Sequence, residues 1–248
     1  MIKDYPVKVI ENISVIDNFY LISLEFNEKF DAMPGQFVEI QINNSNLTDP
    51  FLRRPFSIFD FHNNILKIFY KVVGRSTYLL SKLKKGETIN LLAPLGNKFS
   101  IIENSLLIAG GTGIGGIYFL TRFLNKYKIL YGVKNEKEKK YLGDFLNNEH
   151  LIIISEERDG TVIDYLLKND FKYNFIYSCG PEIMMKRLYN EYMKKNNIEG
   201  EFSLESYMGC GFGVCLGCVR KIKVNNKIEN LRVCKEGPVF NAENIIWE

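Results

Sequence analysis

Four cysteines crowd the carboxyl end of the chain: Cys210, Cys215, Cys218 and, after fifteen intervening residues, Cys234. The C-x4-C-x2-C…C spacing suits four thiolates that hold the two irons of a [2Fe–2S] cluster. Gly209, Gly211, Gly213 and Gly217 are interleaved with them. A loop that wraps a cluster must bend tightly and offer bare backbone N–H groups to sulfur, which explains glycine at that density. A structural four-cysteine zinc site is the alternative, although such sites usually pair two short cysteine hairpins and here the fourth cysteine stands alone. The two histidines, His62 and His150, are isolated and read as surface or internally satisfied residues, so a mixed Cys/His center has no ligands to draw on. A disulfide framework would be unusual in a chain of this size in a reducing compartment.

A second chemistry is carried by glycine. Ile108-Ala109-Gly110-Gly111-Thr112-Gly113-Ile114-Gly115-Gly116 follows an apolar strand and opens a helical segment. There, glycines let the backbone approach a pyrophosphate while N–H groups and the helix dipole favor its charge. A tight strand-to-helix turn with no ligand is the plain alternative. Two further pieces accompany it: Arg54-Pro55-Phe56-Ser57 at the start of a strand and Ser178-Cys179-Gly180-Pro181 at the end of another. No triad or paired acid and base is visible.

The elements that must position these residues change character along the chain. Val7–Val15, Tyr20–Phe26, Gln36–Ile42, Pro55–Phe61, Ile65–Val73 and Thr88–Leu92 are short β-branched and aromatic runs separated by turn residues. They predict an antiparallel six-stranded β-barrel, with one short helix at Thr77–Lys84. From Ser105 strands alternate with helices: strands at Leu106–Ala109, Ile129–Val133, Leu151–Ser155 and Phe175–Ser178, helices at Ile117–Asn125, Tyr141–Leu146, Val162–Lys168 and Glu182–Lys195. This predicts a doubly wound parallel α/β domain, followed by a small cluster module. The expected α+β multi-domain division is 1–99, 100–200 and 201–248. At 248 residues, 46% hydrophobic, 13% aromatic, 25% charged and net +3, the chain reads as globular, with cations scattered among acids. Nucleic-acid binding is disfavored by that scatter. No apolar run reaches a membrane span and the amino terminus lacks a signal-peptide core, so a cytoplasmic setting is expected.

The R-x-[YF]-S strand, the GGTGI turn and the CGP turn, in that order, resemble the ferredoxin–NADP reductase family over residues 5–200. The resemblance implies FAD in the barrel and a nicotinamide dinucleotide in the second domain. Arg54, with Pro55 and Phe56, would then face the flavin diphosphate and Ser57 the ring near N5. Phe69, Tyr70 and Lys71 would run along the FAD, and Gly74-Arg75-Ser76-Thr77 would lead into the helix that caps the diphosphate. Gly110, Gly111, Thr112, Gly113, Ile114 and Gly115, with Gly180 and Pro181, would hold NAD(H), and Cys179 would sit where the nicotinamide stacks. Lys71 and Arg75 read equally well as ordinary surface cations, and Cys179 as a free buried thiol. Glu156 and Glu157 stand in the neighborhood where NADPH users of this type often carry a cation, which favors NAD; Arg158 weighs against it. Phe56 and Gly74-Arg75-Ser76 depart from the smaller residues and extra glycine common in related chains.

The run Glu205–Cys218, the stretch Arg232–Phe240 and the ending Ile245-Ile246-Trp247 resemble electron-transfer subunits of bacterial dihydroorotate dehydrogenase B over essentially the whole length. That resemblance implies FAD, one [2Fe–2S] cluster and an FMN-containing catalytic subunit that oxidizes dihydroorotate, in a heterotetramer of two of each. Electrons would run from FMN through the cluster and FAD to NAD in pyrimidine biosynthesis. Trp247 reads as core. A rival is the small FAD/[2Fe–2S] subunit of bifurcating ferredoxin–NADP oxidoreductases or sulfide dehydrogenases, in which aspartate can replace the first cluster cysteine. A rival of another class is a non-catalytic, zinc-stabilized interaction module.

Overall fold

Val7 and Val9 are fully buried while Lys8 between them is exposed, the period-two signature of a half-buried strand. In the computed structural model, which describes residues 2–42 and 49–247, this pattern builds β1 (Lys3–Ile16), β2 (Phe19–Phe26), β3 (Phe37–Gln41), β4 (Arg54–Ser57), β5 (Asp60–His62), β6 (Ile65–Lys71) and β7 (Thr88–Leu95). They form one antiparallel sheet in the order β4-β3-β7-β1-β2-β6-β5. Seven strands replace the expected six because the run Pro55–Phe61 breaks in two. Ile58 donates its N–H to Gln36 O (3.3 Å) beside β3, and Phe59 donates to Lys67 O (2.9 Å) on β6. The chain thus crosses from one edge of the sheet to the other within two residues, a path compatible with the expected barrel. Val7, Ile22, Val38, Leu66 and Leu91 share one buried cluster of this sheet. The helix Arg75–Ser81 buries Leu80 in the same cluster.

The second half is a parallel sheet whose central strands are buried on both faces, as a covered parallel sheet requires. Its strands are β8 (Ser105–Gly110), β9 (Tyr127–Val133), β10 (Leu151–Ser155), β11 (Phe175–Cys179) and β12 (Glu199–Ser203), ordered β10-β9-β8-β11-β12. Leu106 and Ile108 pack into one core, Leu107 and Ala109 into another. Helices Glu136–Leu146 and Val162–Lys168 start on side-chain caps, Asn135 Oδ1 accepting from Glu138 N (2.8 Å) and Thr161 paired with Asp164. Two expected helices differ in form. The segment after the glycine turn is one α-turn, Ile114–Ile117, continued as a 3-10 stretch Tyr118–Arg122, where Tyr118 stacks on Phe59 of the barrel (4.6 Å) and Arg122 pairs with Asp60. The last helix holds α geometry over Glu182–Arg187 and widens to a π-helix over Leu188–Met193.

Beyond β12, β13 (Val219–Val224) and β14 (Lys227–Arg232) form a hairpin, and β15 (Val239–Asn241) pairs antiparallel with β12. The carboxyl-terminal stretch, expected to be a separate appendage, therefore contributes a strand to the second sheet. The physical reason is apolar: Phe202 lies opposite Phe240 in that pair, and Trp247, partly buried where a core position was expected, packs against the cluster with its ring 6.1 Å from that of Phe202.

Asn97, just past the barrel, ties this stretch down. Its Nδ2 donates to Glu236 O (3.0 Å) and Val239 O (2.8 Å), and its Oδ1 accepts from Val239 N (2.9 Å). Asn97→Ala removes three hydrogen bonds and should cost about 2–3 kcal/mol. The expected outcome is a lower Tm by circular dichroism; an unchanged Tm would show that these bonds exchange freely with water.

Candidate functional site

A cavity of about 530 Å³ runs along the barrel where β4 and β6 meet the second domain. Arg54, Pro55, Phe56 and Ser57 come from β4; Phe69, Tyr70 and Lys71 come from β6; Ser76 and Thr77 come from the helix that follows. All nine residues singled out in the sequence for a flavin share this one space. Thr77 Oγ1 accepts N–H groups from Val73 (2.9 Å) and Gly74 (3.2 Å), so the turn below the helix is held by its own first turn. The far wall was not foreseen: Ser203–Ser206, Met208 and Pro238, from the stretch that leads to the cysteines.

A second cavity, of about 520 Å³, lies at the carboxyl ends of the parallel strands, where ligands of such sheets bind. Gly110, Gly111, Thr112, Glu156, Gly180 and Pro181 line it. Gly113, Ile114, Gly115 and Cys179 do not; Gly113 packs instead against the backbone of Cys179 and Gly180. Cys179 is 1% exposed, and a methyl at Gly116 would stand 2.7 Å from its Sγ. Burial, helped by the nearby Glu205, pushes the Cys179 thiol far above its ordinary value, so it acts as a neutral wedge under the glycine turn. Glu157 turns away and accepts from Glu136 N (3.4 Å).

Lys71, Val73, Thr112 and Glu205 line both cavities, so the two spaces abut. Lys71 lies 4.4 Å from the center of the Phe19 ring and 3.9 Å from Glu138. Glu205 is exposed to solvent, yet the walls around its carboxyl desolvate it and raise its pKa. Arg187 also lines the second cavity, with its guanidinium occupied by Glu191 (2.8 and 3.0 Å), Asp164 (2.9 Å) and Thr161 (3.2 Å). None of Glu205, Thr161 or Arg187 stood out in the sequence, since nothing local distinguishes them from surface residues.

The cysteine loop follows directly on Met208. Cys218 and Cys234 are buried with sulfurs 3.2 Å apart, Cys210 is half-buried and Cys215 is exposed. Burial works against ionization at Cys210, but N–H groups of Cys215 (3.4 Å), Phe212 and Val214 (3.3 Å) outweigh it and bring the thiol down to about 6. Gly217 N likewise points at Cys215 Sγ (3.4 Å) and Cys234 N at Cys218 Sγ (3.4 Å). Backbone donors aimed at thiolates are what a cluster needs. Among the described residues no three His, Cys, Asp or Glu gather tightly enough for a single metal ion. The donor set fits an all-thiolate [2Fe–2S] group with Cys215 at its outer edge.

One further residue belongs here. Glu39 on β3 is fully buried, and a methyl at Gly211 would stand 2.5 Å from its Oε2. Gly211 also has φ +74°, so only glycine suits the position on both counts. Burial pushes the Glu39 carboxyl up to about 7, Cys210 adds to the effect, and Arg53 and Arg54 oppose it. A charged residue inside the short apolar strand Phe37-Val38-Glu39-Ile40 was the available signal.

Because its pKa is lowered, Cys210 in protein stripped of iron should remain a thiolate down to pH about 6. Iodoacetamide labeling followed by peptide mass spectrometry over a pH series should therefore place its midpoint there, with Cys179 unlabeled until unfolding. An ordinary thiol midpoint would remove the backbone donors from that sulfur.

Residues 205–246 match the family described as the iron-sulfur cluster binding domain of dihydroorotate dehydrogenase B. In fold the chain is similar to an NADH-dependent reduced ferredoxin-NADP oxidoreductase structure studied for electron bifurcation, with TM-score 0.79 and 24% identity over 97% of this chain and 90% of that one. It is also similar to the ferredoxin-NADP+ reductase of Plasmodium falciparum, with TM-score 0.62 and 19% identity over 83% and 97%. In sequence it is 33% identical to the dihydroorotate dehydrogenase B (NAD(+)) electron transfer subunit of Desulforamulus reducens over 100% of both chains. The corresponding subunit of Clostridium acetobutylicum is 33% identical over 96% of both. With that likeness extending from the barrel through the cysteine loop, the chain belongs to the family of dihydroorotate dehydrogenase B electron transfer subunits.

Proposed function

We propose that this chain carries electrons from the FMN of a dihydroorotate dehydrogenase catalytic subunit, by way of a [2Fe–2S] cluster and FAD, to NAD+ in pyrimidine biosynthesis. The observation that carries the reading is the course of residues 203–208, which wall the flavin-sized cavity, touch the dinucleotide cavity through Glu205 and run straight into Cys210. FAD supplies a ring that exchanges hydride with nicotinamide, and the cluster supplies single-electron carriage.

The chain's own residues bind and orient. Arg54 and Ser76 offer a cation and a hydroxyl suited to a diphosphate, beside Thr77, whose own hydroxyl holds the turn, and Ser57 offers a hydroxyl on the same wall. Gly110, Gly111 and Thr112 present backbone to the dinucleotide, while Pro181 and the buried Cys179 keep the turn closed against Gly110 and Gly116. Around Cys215 the loop exposes Phe212, Val214 and Leu216. Such a contiguous apolar rim suits a protein partner. We assign the flavin to residues 1–99, the dinucleotide to 100–200 and the cluster to 201–248, with β15 lent to the second sheet. The partner is the FMN-containing subunit, two of each in the assembly. A cytoplasmic setting belongs to the same proposal; among the described residues no helix is long and apolar enough to cross a membrane, and all five cysteines are free.

Two measurements check this. Glu156 lines the dinucleotide cavity and Arg187 is already occupied by carboxylates, so a 2′-phosphate would meet repulsion without a free guanidinium. NADH should exceed NADPH in kcat/KM by about tenfold or more with an artificial acceptor; parity would show that Glu156 does not face the ribose. The isolated chain should reduce dyes with NADH yet leave dihydroorotate untouched, because no base is placed for that proton. Adding the FMN subunit should create dihydroorotate-to-NAD activity, and Cys215→Ser should abolish it while sparing NADH-to-dye turnover. Coupled activity in the Cys215→Ser protein at the wild-type rate would overturn the order of carriers.

A further inference from the structure

Glu39 is 0% exposed, and neither carboxyl oxygen has a hydrogen-bond partner among the described residues. Buried polar groups are nearly always satisfied, and one left unpaired destabilizes the fold that contains it. Its position shows what it faces. Glu39 lies in the middle of β3, opposite Pro55 of β4 and Leu92 of β7. Its neighbors Val38 and Ile40 point into the barrel core, so strand alternation turns Glu39 outward, toward the cysteine loop. There the backbone of Gly211 covers it, and the absent side chain is the reason they can meet: a methyl on Gly211 would stand 2.5 Å from Oε2 and 2.8 Å from Oε1. Nothing separates the carboxyl from the loop backbone next to Cys210. The same strand pair leads to the flavin-sized cavity, since Arg54 and Pro55 on β4 line it. Arg53, the residue before them, has its Nη1 buried and unpaired as well.

We propose that Glu39 is a positioning residue for the [2Fe–2S] cluster: its carboxyl is the polar contact by which the flavin-binding barrel holds the Cys210 side of the cluster loop. This rests on the assignment of the four cysteines as cluster ligands. The contact joins the wall of one redox site to the loop of the next. In an interior of low polarity, a polar group beside a center whose charge changes with each electron acts on that center's potential. A carboxyl that were only a buried defect would behave differently. Its replacement by an apolar side chain of similar size would stabilize the protein and leave the cluster as it was.

Glu39→Leu and Glu39→Gln, each made in the full chain and purified with flavin and cluster, separate these cases. Iron, sulfide and FAD content, the EPR spectrum of the reduced cluster and its reduction potential are the readouts. The expected result is that both variants keep FAD. Glu39→Leu either sheds iron or holds a cluster whose g values and potential differ from wild type, and Glu39→Gln, which keeps shape and polarity, restores iron content and falls between the two. Wild-type iron content, EPR spectrum and potential in Glu39→Leu would overturn the proposal. Loss of FAD together with the cluster in both variants would also overturn it, since the carboxyl would then be supporting the barrel. Absence of iron from the wild-type protein would instead sink the ligand assignment.

Discussion

Phe202 of β12 sits opposite Phe240 of β15, and β12 is held on its other edge by β11 in parallel register. Everything at the carboxyl end depends on that double pairing. The cysteine loop leaves from the end of β12 and the chain returns through Cys234 to β15, so the sheet closes the long loop that contains all four sulfurs. Closing it unaided would cost chain entropy with little local structure to offset it. Pairing within an existing sheet, with two buried phenylalanines and the partly buried Trp247 beneath, supplies the compensation. It also sets the direction of residues 203–208, and hence which side chains reach the two cavities.

The cavities are lined mostly by apolar groups, with cations at their walls. Lys71 leans on Phe19 and Glu138, and Arg187 is held by Asp164, Glu191 and Thr161. These two cations are already engaged, which leaves Lys134 as the second cavity's exposed cation without a carboxylate partner among the described residues. The thiols are sorted by environment in a comparable manner. Cys179, enclosed by the glycine turn, is kept neutral; Cys210, faced by loop N–H groups, is driven toward thiolate; and burial with the neighboring Cys218 pushes Cys234 up to about 12. The same side chain is thus kept neutral in one place and drawn toward thiolate in another, and the groups around it make the difference.

The cysteine spacing, the glycine turn and the change from period-two runs to alternating strands and helices were readable because each depends on residues close together in sequence. They sufficed for the fold class, whereas the nine residues that share one cavity came from the resemblance to the ferredoxin–NADP reductase family. The split of Pro55–Phe61 was not readable, since that run is continuously strand-like and breaks only because its two halves bond to opposite edges of the sheet. The membership of β15 in the second sheet was hidden for a similar reason: its partner lies some forty residues earlier, about one long loop away. Glu39, Glu205 and Arg187 are ordinary charged residues in the sequence. What distinguishes them is which distant backbone or carboxylate covers them, and hydrophobic periodicity carries no information about that. Local chemistry is written in neighboring residues, whereas burial of a charge and the union of two cavities arise only when segments far apart in the chain are brought into contact.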